Sequence, residues 1–175
     1  MRVVSGSARG RKLVAPEGAR TRPTPERVRE ATFNALGSLG AIDGAMVLDL
    51  FAGSGAMGIE ALSRGAARVT FFDSDAAARR AIANNLATCS LSEAAEVVAI
   101  PAERFVRSTG ERCWDLALLD PPYDYESWPE LLLDLPAQIA VLESGGPVDP
   151  PFGWEVVRSR RYGRTHVVIA ERIAV

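Results

Sequence analysis

Short apolar runs punctuate this chain, and from residue 45 onward they alternate with stretches whose apolar positions recur every three or four residues. The runs Met46–Leu50, Arg68–Phe72, Glu96–Ile100, Trp114–Leu119 and Gln138–Glu143 read as strands. Between them, Ala56–Ser63 (stopped at Gly65), Ala76–Ala87, Ala102–Arg107 and Trp128–Leu135 read as helices. The Gly/Pro-rich stretch from Ser144 to Gly153 reads as a loop. Trp154–Ser159 and Thr165–Glu171 then form a hairpin turning at Arg160–Arg164. Repeated strand–helix units predict a mostly parallel, seven-stranded α/β sheet with helices on both faces, and the closing hairpin makes one strand antiparallel. Ahead of this pattern, residues 1–15 alternate weakly around Gly6–Gly10 and predict a β-hairpin with a basic turn. The stiff segment Thr21–Pro25 leads into a helix to about Leu36, with Thr24 as its cap and Pro25 in its first turn. Val28, Ala31, Phe33 and Leu36 supply its apolar stripe. The pattern divides the chain into an N-terminal extension, 1–40, and a main domain, 41–175.

The 175 residues are 47% hydrophobic, enough for a buried core, and no apolar run approaches the ~20 residues that span a bilayer. No secretory signal is visible. Cys89 and Cys113 lack metal-type spacing and read as reduced thiols of a cytoplasmic protein. His166 is the one histidine and takes no role, so a multi-histidine metal site is excluded. Charge changes the picture more. Net charge is −2, but residues 1–30 carry +5, residues 158–175 carry +4 and the middle carries −11. All basic residues but Lys12 are arginine, whose planar fork suits phosphate oxygens. Two basic ends on an acidic body predict a polyanion contact confined to one face.

Two strand ends carry the candidate chemistry. After the first strand of the main domain comes Asp49-Leu50-Phe51-Ala52-Gly53-Ser54-Gly55-Ala56-Met57-Gly58. Its glycines allow a tight turn and close backbone approach to a ligand. Asp73, at the next strand end, can accept both hydroxyls of a ribose, with Asp75 as a competitor that caps the following helix. Asp49 would repel a pyrophosphate but suits a ligand with an ammonium and a sulfonium, which favours S-adenosyl-L-methionine over a dinucleotide. The fourth strand ends in Asp120-Pro121-Pro122-Tyr123. The Asp120 side chain and the Pro121 carbonyl can hold the two N–H bonds of an exocyclic base amine. The prolines stiffen the turn, and Tyr123 can stack on the base. Both loops lie at carboxyl ends of neighbouring strands, where open α/β sheets bind ligands. Catalysis would be mainly positioning of an in-line methyl transfer. Of the remaining aromatics, Phe33, Trp114, Trp128 and Trp154 read as core. Tyr125 is divided between pocket cover and plain surface.

This order of motifs resembles the class I S-adenosylmethionine-dependent amino-methyltransferases. Arg2-Val3-Val4-Ser5-Gly6, Gly10-Arg11-Lys12-Leu13, Thr21-Arg22-Pro23-Thr24 and Arg27-Val28-Arg29-Glu30-Ala31-Thr32-Phe33-Asn34 are similar to the RsmD family, the guanine-N2 methyltransferases of small-subunit (16S) ribosomal RNA. The resemblance reaches the closing Arg161-Tyr162-Gly163 hairpin. It implies a Rossmann-like fold and a cofactor site of Asp49, Phe51, Ala52, Gly53, Ser54, Gly55 and Asp73. It implies a catalytic loop of Asp120, Pro121, Pro122 and Tyr123. Arg22, Thr24, Arg27 and Asn34 would border the active site. Arg9, Arg11, Lys12, Arg160 and Arg161 would touch RNA. One departure stands out: Pro101 occupies the place of the acid that meets the adenine amine in such enzymes, leaving Ala102 or Glu103 to do so. The implied form is a monomer without metal, acting on ribosomal RNA within a small-subunit assembly. The competing readings are a DNA adenine-N6 methyltransferase, for which no duplex-reading insertion is present, and a non-catalytic RNA-binding protein, against which the intact Asp120–Tyr123 loop argues.

Overall fold

The computed structural model describes residues 1–18, 25–107 and 113–173. Seven strands, β1 (Met46–Leu50), β2 (Arg68–Phe72), β3 (Ala95–Val98), β4 (Trp114–Leu119), β5 (Ala137–Ser144), β6 (Trp154–Tyr162) and β7 (Thr165–Arg172), form one sheet in the order β3-β2-β1-β4-β5-β7-β6. β1 to β5 pair in parallel, and β7 pairs antiparallel with both β5 and β6. This is the mixed, Rossmann-like sheet that the alternation predicts. The strand order reverses between β1 and β4, so their carboxyl ends open the crevice in which such sheets bind ligands.

Both sheet faces are covered. Helices α1 (Glu26–Ser38), α2 (Ala56–Ser63) and α3 (Ala76–Cys89) pack on one face, with Phe33, Ile59 and Ile82 wholly buried against Val47, Val69 and Leu116. Helices α4 (Ala102–Val106) and α5 (Trp128–Leu133) cover the other, where Leu132 meets Leu48, Ala117 and Leu142. Trp114, Trp128 and Trp154 are buried in that second layer, as expected. A pleated strand buried on both faces has no polar alternation, which is why β1 and β4 read as continuous apolar runs.

Several element ends differ from expectation. α3 runs on to Cys89, while β3 and α5 stop two residues early. β6 continues through Arg160, Arg161 and Tyr162, so the hairpin turns at Gly163-Arg164. Side chains on this edge strand are exposed from Glu155 to Arg161 and carry no burial pattern to reveal the extra turn-side residues. Pro25 occupies the cap of α1, with φ −57° and ψ 140°, and no side chain caps the helix; Thr24, the expected cap, lies outside the described residues. The N-terminal hairpin reduces to a single antiparallel bridge, Arg2–Lys12, flanked by Val3 N–H donating to Arg11 O at 3.0 Å and Leu13 N–H to Met1 O at 3.0 Å.

That arm is fastened to the sheet domain by polar groups. Glu60 of α2 is fully buried and accepts from Val4 N (2.8 Å), Ser5 N (3.0 Å) and Arg64 Nε (2.7 Å), while Arg29 Nε of α1 stands 3.5 Å away. Arg29 is equally buried, on the same face of α1 as Phe33 and Leu36, and its guanidinium also donates to Arg2 O. Gly6 lies so close to Ser63 that a Cβ there would fall 1.7 Å from the Ser63 carbonyl oxygen, so only glycine lets the arm dock. Val3, Ala8 and Leu13 complete the same apolar layer as α1 to α3. No helix among the described residues is long and apolar enough to cross a membrane.

Candidate active site

The site begins where β1 and β4 end side by side, with Leu50 paired to Leu119. The next residues, Phe51 and Asp120, open the glycine loop and the diproline loop onto one cleft of about 950 Å³. Phe51 adopts φ 62°, a left-handed conformation costly for a non-glycine residue. Gly55 follows with φ 74° at the cap of α2, where a Cβ would press within 3.1 Å of Ile82. Gly58, in the first turn of α2, packs so closely that a Cβ would fall 2.3 Å from the Phe71 ring. This close approach brings the Gly58 N–H to Asp49.

Three carboxylates converge here. Asp49 is buried, and its Oδ2 accepts from Gly58 N at 2.8 Å. Burial pushes its pKa well above the usual carboxylate range; the Gly58 bond opposes this, while the charges of Asp120 and Asp73 add to it. Asp73 accepts from Gly53 N (2.8 Å) through one oxygen and from Asp75 N (2.9 Å) through the other, tying the end of β2 to the glycine loop. Asp75 Oδ1 accepts from Ala77 N at 2.9 Å and caps α3, the structural role weighed for it. Asp120 lines the cleft, partly buried, and Pro121 next to it is buried. The turn closes through Tyr125 N–H donating to Pro122 O at 2.9 Å. Tyr123 is half exposed, and its hydroxyl meets Thr165 Oγ1 at 3.1 Å.

The cleft gathers Asp49, Phe51, Ala52, Gly53, Ser54 and Asp73 on one side, and Asp120, Pro121, Pro122 and Tyr123 on the other. Ala102 and Glu103 line it beside Pro101, whereas Gly55 shapes the loop from behind. The basic candidates stand outside its wall. Arg9, Arg11, Lys12, Arg27, Arg160 and Arg161 are exposed, and Asn34, also exposed, accepts from Arg64 Nη1 at 3.1 Å. Arg22 and Thr24 lie outside the described residues.

Sequence reasoning missed the fourth wall. Met1, Ala15, Pro16 and Gly18 of the N-terminal arm line the same cleft. Asn85 of α3, buried, holds this arm in place. Its Oδ1 accepts from Val14 N (2.8 Å), and its Nδ2 donates to Val14 O (2.9 Å) and Ser54 O (2.8 Å). An Asn within a helix, here beside Asn84, gives no sign that it bridges two distant loops. Among the described residues no cluster of His, Cys, Asp and Glu could hold a metal ion.

Residues 1–171 match the model of the family described as conserved hypothetical protein 95. The YlbH protein of Bacillus subtilis, named as an rRNA methyltransferase, is 39% identical over 98% of this chain and 99% of its own length. The ribosomal RNA small subunit methyltransferase D of Escherichia coli K12 is 42% identical over 70% of this chain, a match spanning 60% of that protein. Among solved structures, the methyltransferase yhhF of Escherichia coli superposes with a TM-score of 0.85 at 34% identity, covering 98% of this chain and 97% of its own. A more distant fold neighbour, 14% identical with a TM-score of 0.66 over 83% of this chain and 48% of its own, is a methyltransferase complexed with S-adenosylhomocysteine. By family match and by relatives the chain belongs to the conserved hypothetical protein 95 family, that of the RsmD methyltransferases.

Proposed function

We propose that the protein uses S-adenosyl-L-methionine to methylate the exocyclic N2 of a guanine in 16S ribosomal RNA. The observation that carries this reading is the meeting of Asp49, Asp73 and Asp120 in one cleft. Like charges so placed oppose one another, and a ligand bearing an ammonium and a sulfonium relieves them. The residues present fit that donor. Asp49 and the backbone around Gly53 would hold its methionine end, and Asp73 its ribose hydroxyls. The bound donor supplies an electrophilic methyl group. The chain's own contribution is positional. Asp120 and the Pro121 carbonyl accept the two N–H bonds of the guanine amine, so the nitrogen lone pair faces the methyl. Pro121 and Pro122 keep those acceptors from turning away, and Tyr123, tethered at its hydroxyl to Thr165, offers its half-exposed ring to the base. The amine's proton is lost after transfer, so no strong base is required.

The exposed arginines of the arm and of β6 fit contact with RNA phosphates. No separate sequence-reading domain is seen among the described residues, which favours a target recognised by shape within a small-subunit particle. The proposed working form is a monomer. Incubation with methyl-labelled S-adenosylmethionine and unmodified small-subunit particles, followed by nucleoside analysis, should place label on guanine N2. Label on adenine N6, or on no guanine, would overturn the assignment.

A further inference from the structure

Tyr123 and Tyr125, two residues apart, serve opposite ends of the cleft. Tyr123 turns toward β7 and the end of β5, with its hydroxyl on Thr165 and its ring against Gly145. Tyr125 turns back across β1. Its ring meets Phe51 edge-on at 5.3 Å and Trp128 edge-on at 5.3 Å, and its backbone N–H closes the diproline turn. The ring is therefore fixed on two sides. Its hydroxyl, however, is buried and makes no hydrogen bond. Glu103, which lines the same cleft, acts on it both by its charge and by a weak hydrogen-bonding attraction that falls short of a well-formed bond. Burial first, and then Glu103, push the phenol's pKa up to about 12, so the group stays an O–H donor throughout the physiological range. A buried hydroxyl left unpaired lowers stability by roughly 1–3 kcal/mol, and such a group within a ligand cleft needs an explanation.

Strand order identifies the partner. Asp73 ends β2, and Pro101 to Glu103 follow β3, both on the flank of β1 away from β4. A ligand whose ribose meets Asp73 therefore carries its base toward the Glu103 side. Tyr125 reaches that side, whereas Tyr123 does not. We propose that Tyr125 is the adenine-recognition residue of this chain: its hydroxyl donates to a ring nitrogen of the cofactor's adenine while the Glu103 carboxylate accepts from the amino group. This rests on the proposed cofactor, and it supplies a side-chain contact where Pro101 removes the expected acid.

Calorimetry with S-adenosylhomocysteine on the wild-type protein and on Tyr125→Phe tests it. The variant should bind about tenfold more weakly, the loss of one good hydrogen bond. The inosine analogue, S-inosylhomocysteine, lacks the amino group and should bind wild type poorly, with that discrimination narrowed in the variant. The apo melting temperature should hardly change, because the deleted hydroxyl makes no well-formed hydrogen bond in the protein; a purely structural role would lower it. Unchanged S-adenosylhomocysteine affinity in Tyr125→Phe would overturn the inference. So would a raised KM for RNA with cofactor affinity intact, which would assign the hydroxyl to the target base. Failure of the wild type to bind S-adenosylhomocysteine would overturn the proposed function along with it.

Discussion

Two buried carboxylates on the same face of the sheet have opposite fates. Glu60 is satisfied within the protein, with two backbone N–H groups and Arg64 as hydrogen-bond donors and Arg29 beside it. Asp49 receives the Gly58 N–H and has two further carboxylates among its electrostatic neighbours. The first is a structural joint that fastens the N-terminal arm. The second is buried beside like charges that oppose its ionisation, the condition expected of a site that is completed by a cation. Burial alone does not distinguish them. The identity of the neighbours does.

The sharpest test of this contrast is to break the joint. Glu60→Ala removes the carboxylate beside the buried Arg29 and frees Val4 N and Ser5 N, and should destabilise the fold by about 3–5 kcal/mol. Chemical denaturation measures it; a loss under ~1 kcal/mol would mean that water reaches Arg29 and that Glu60 is no joint. Asp120→Ala is the counterpart in the cleft. It should cut kcat by about 100-fold or more while leaving cofactor affinity nearly intact, because the acceptor is felt mainly at the transition state. An equal loss of cofactor affinity would move Asp120 into the cofactor site.

The same contrast explains what could be read without coordinates. The glycine loop and the Asp120–Tyr123 loop are contiguous motifs at the ends of apolar runs, and strand order alone brings their bases together. The sheet class and the central strands follow from apolar runs buried on both faces, and the closing hairpin from the turn residues between two apolar runs. The arm's attachment was illegible. Arg29 and Glu60 carry charges that ordinarily mean solvent, and apart from Arg64, one turn on from Glu60, their partners lie 27 to 56 residues away. Asn85 reaches 71 residues back to Val14, and its side chain belongs to no motif. Extra residues of β6 escaped because an exposed edge strand repeats no burial pattern.

Asp73 lies between the two cases. Both of its oxygens accept backbone N–H groups, yet it remains partly open to the cleft. Asp73→Ala should therefore weaken S-adenosylhomocysteine binding by about 1–3 kcal/mol, the scale of a lost charge-assisted hydrogen bond. Calorimetry that finds affinity unchanged would pass the ribose role to Asp75.

The smallest expected effect carries the most specific sign. Burial raises the pKa of Asp49 above its unfolded value, so in the folded apo protein the proton is held more tightly than in the unfolded chain. As pH climbs from the ordinary carboxylate range through the raised folded value, the unfolded chain deprotonates first and apo stability falls. Asp49→Asn keeps an oxygen for the Gly58 N–H while deleting the charge. It should raise the apo melting temperature near neutral pH by about 2–4 °C, the shift that ~1 kcal/mol produces in a domain of this size. The same variant should weaken cofactor binding, and wild-type affinity should fall as pH is lowered through the raised pKa, because protonation removes the charge that the ligand's ammonium and sulfonium need. Glu60→Gln, tested beside it, should move the melting temperature the other way. If Asp49→Asn destabilised the apo protein, or left cofactor affinity untouched, the carboxylate would be a second structural joint and the contrast between the two acids would collapse.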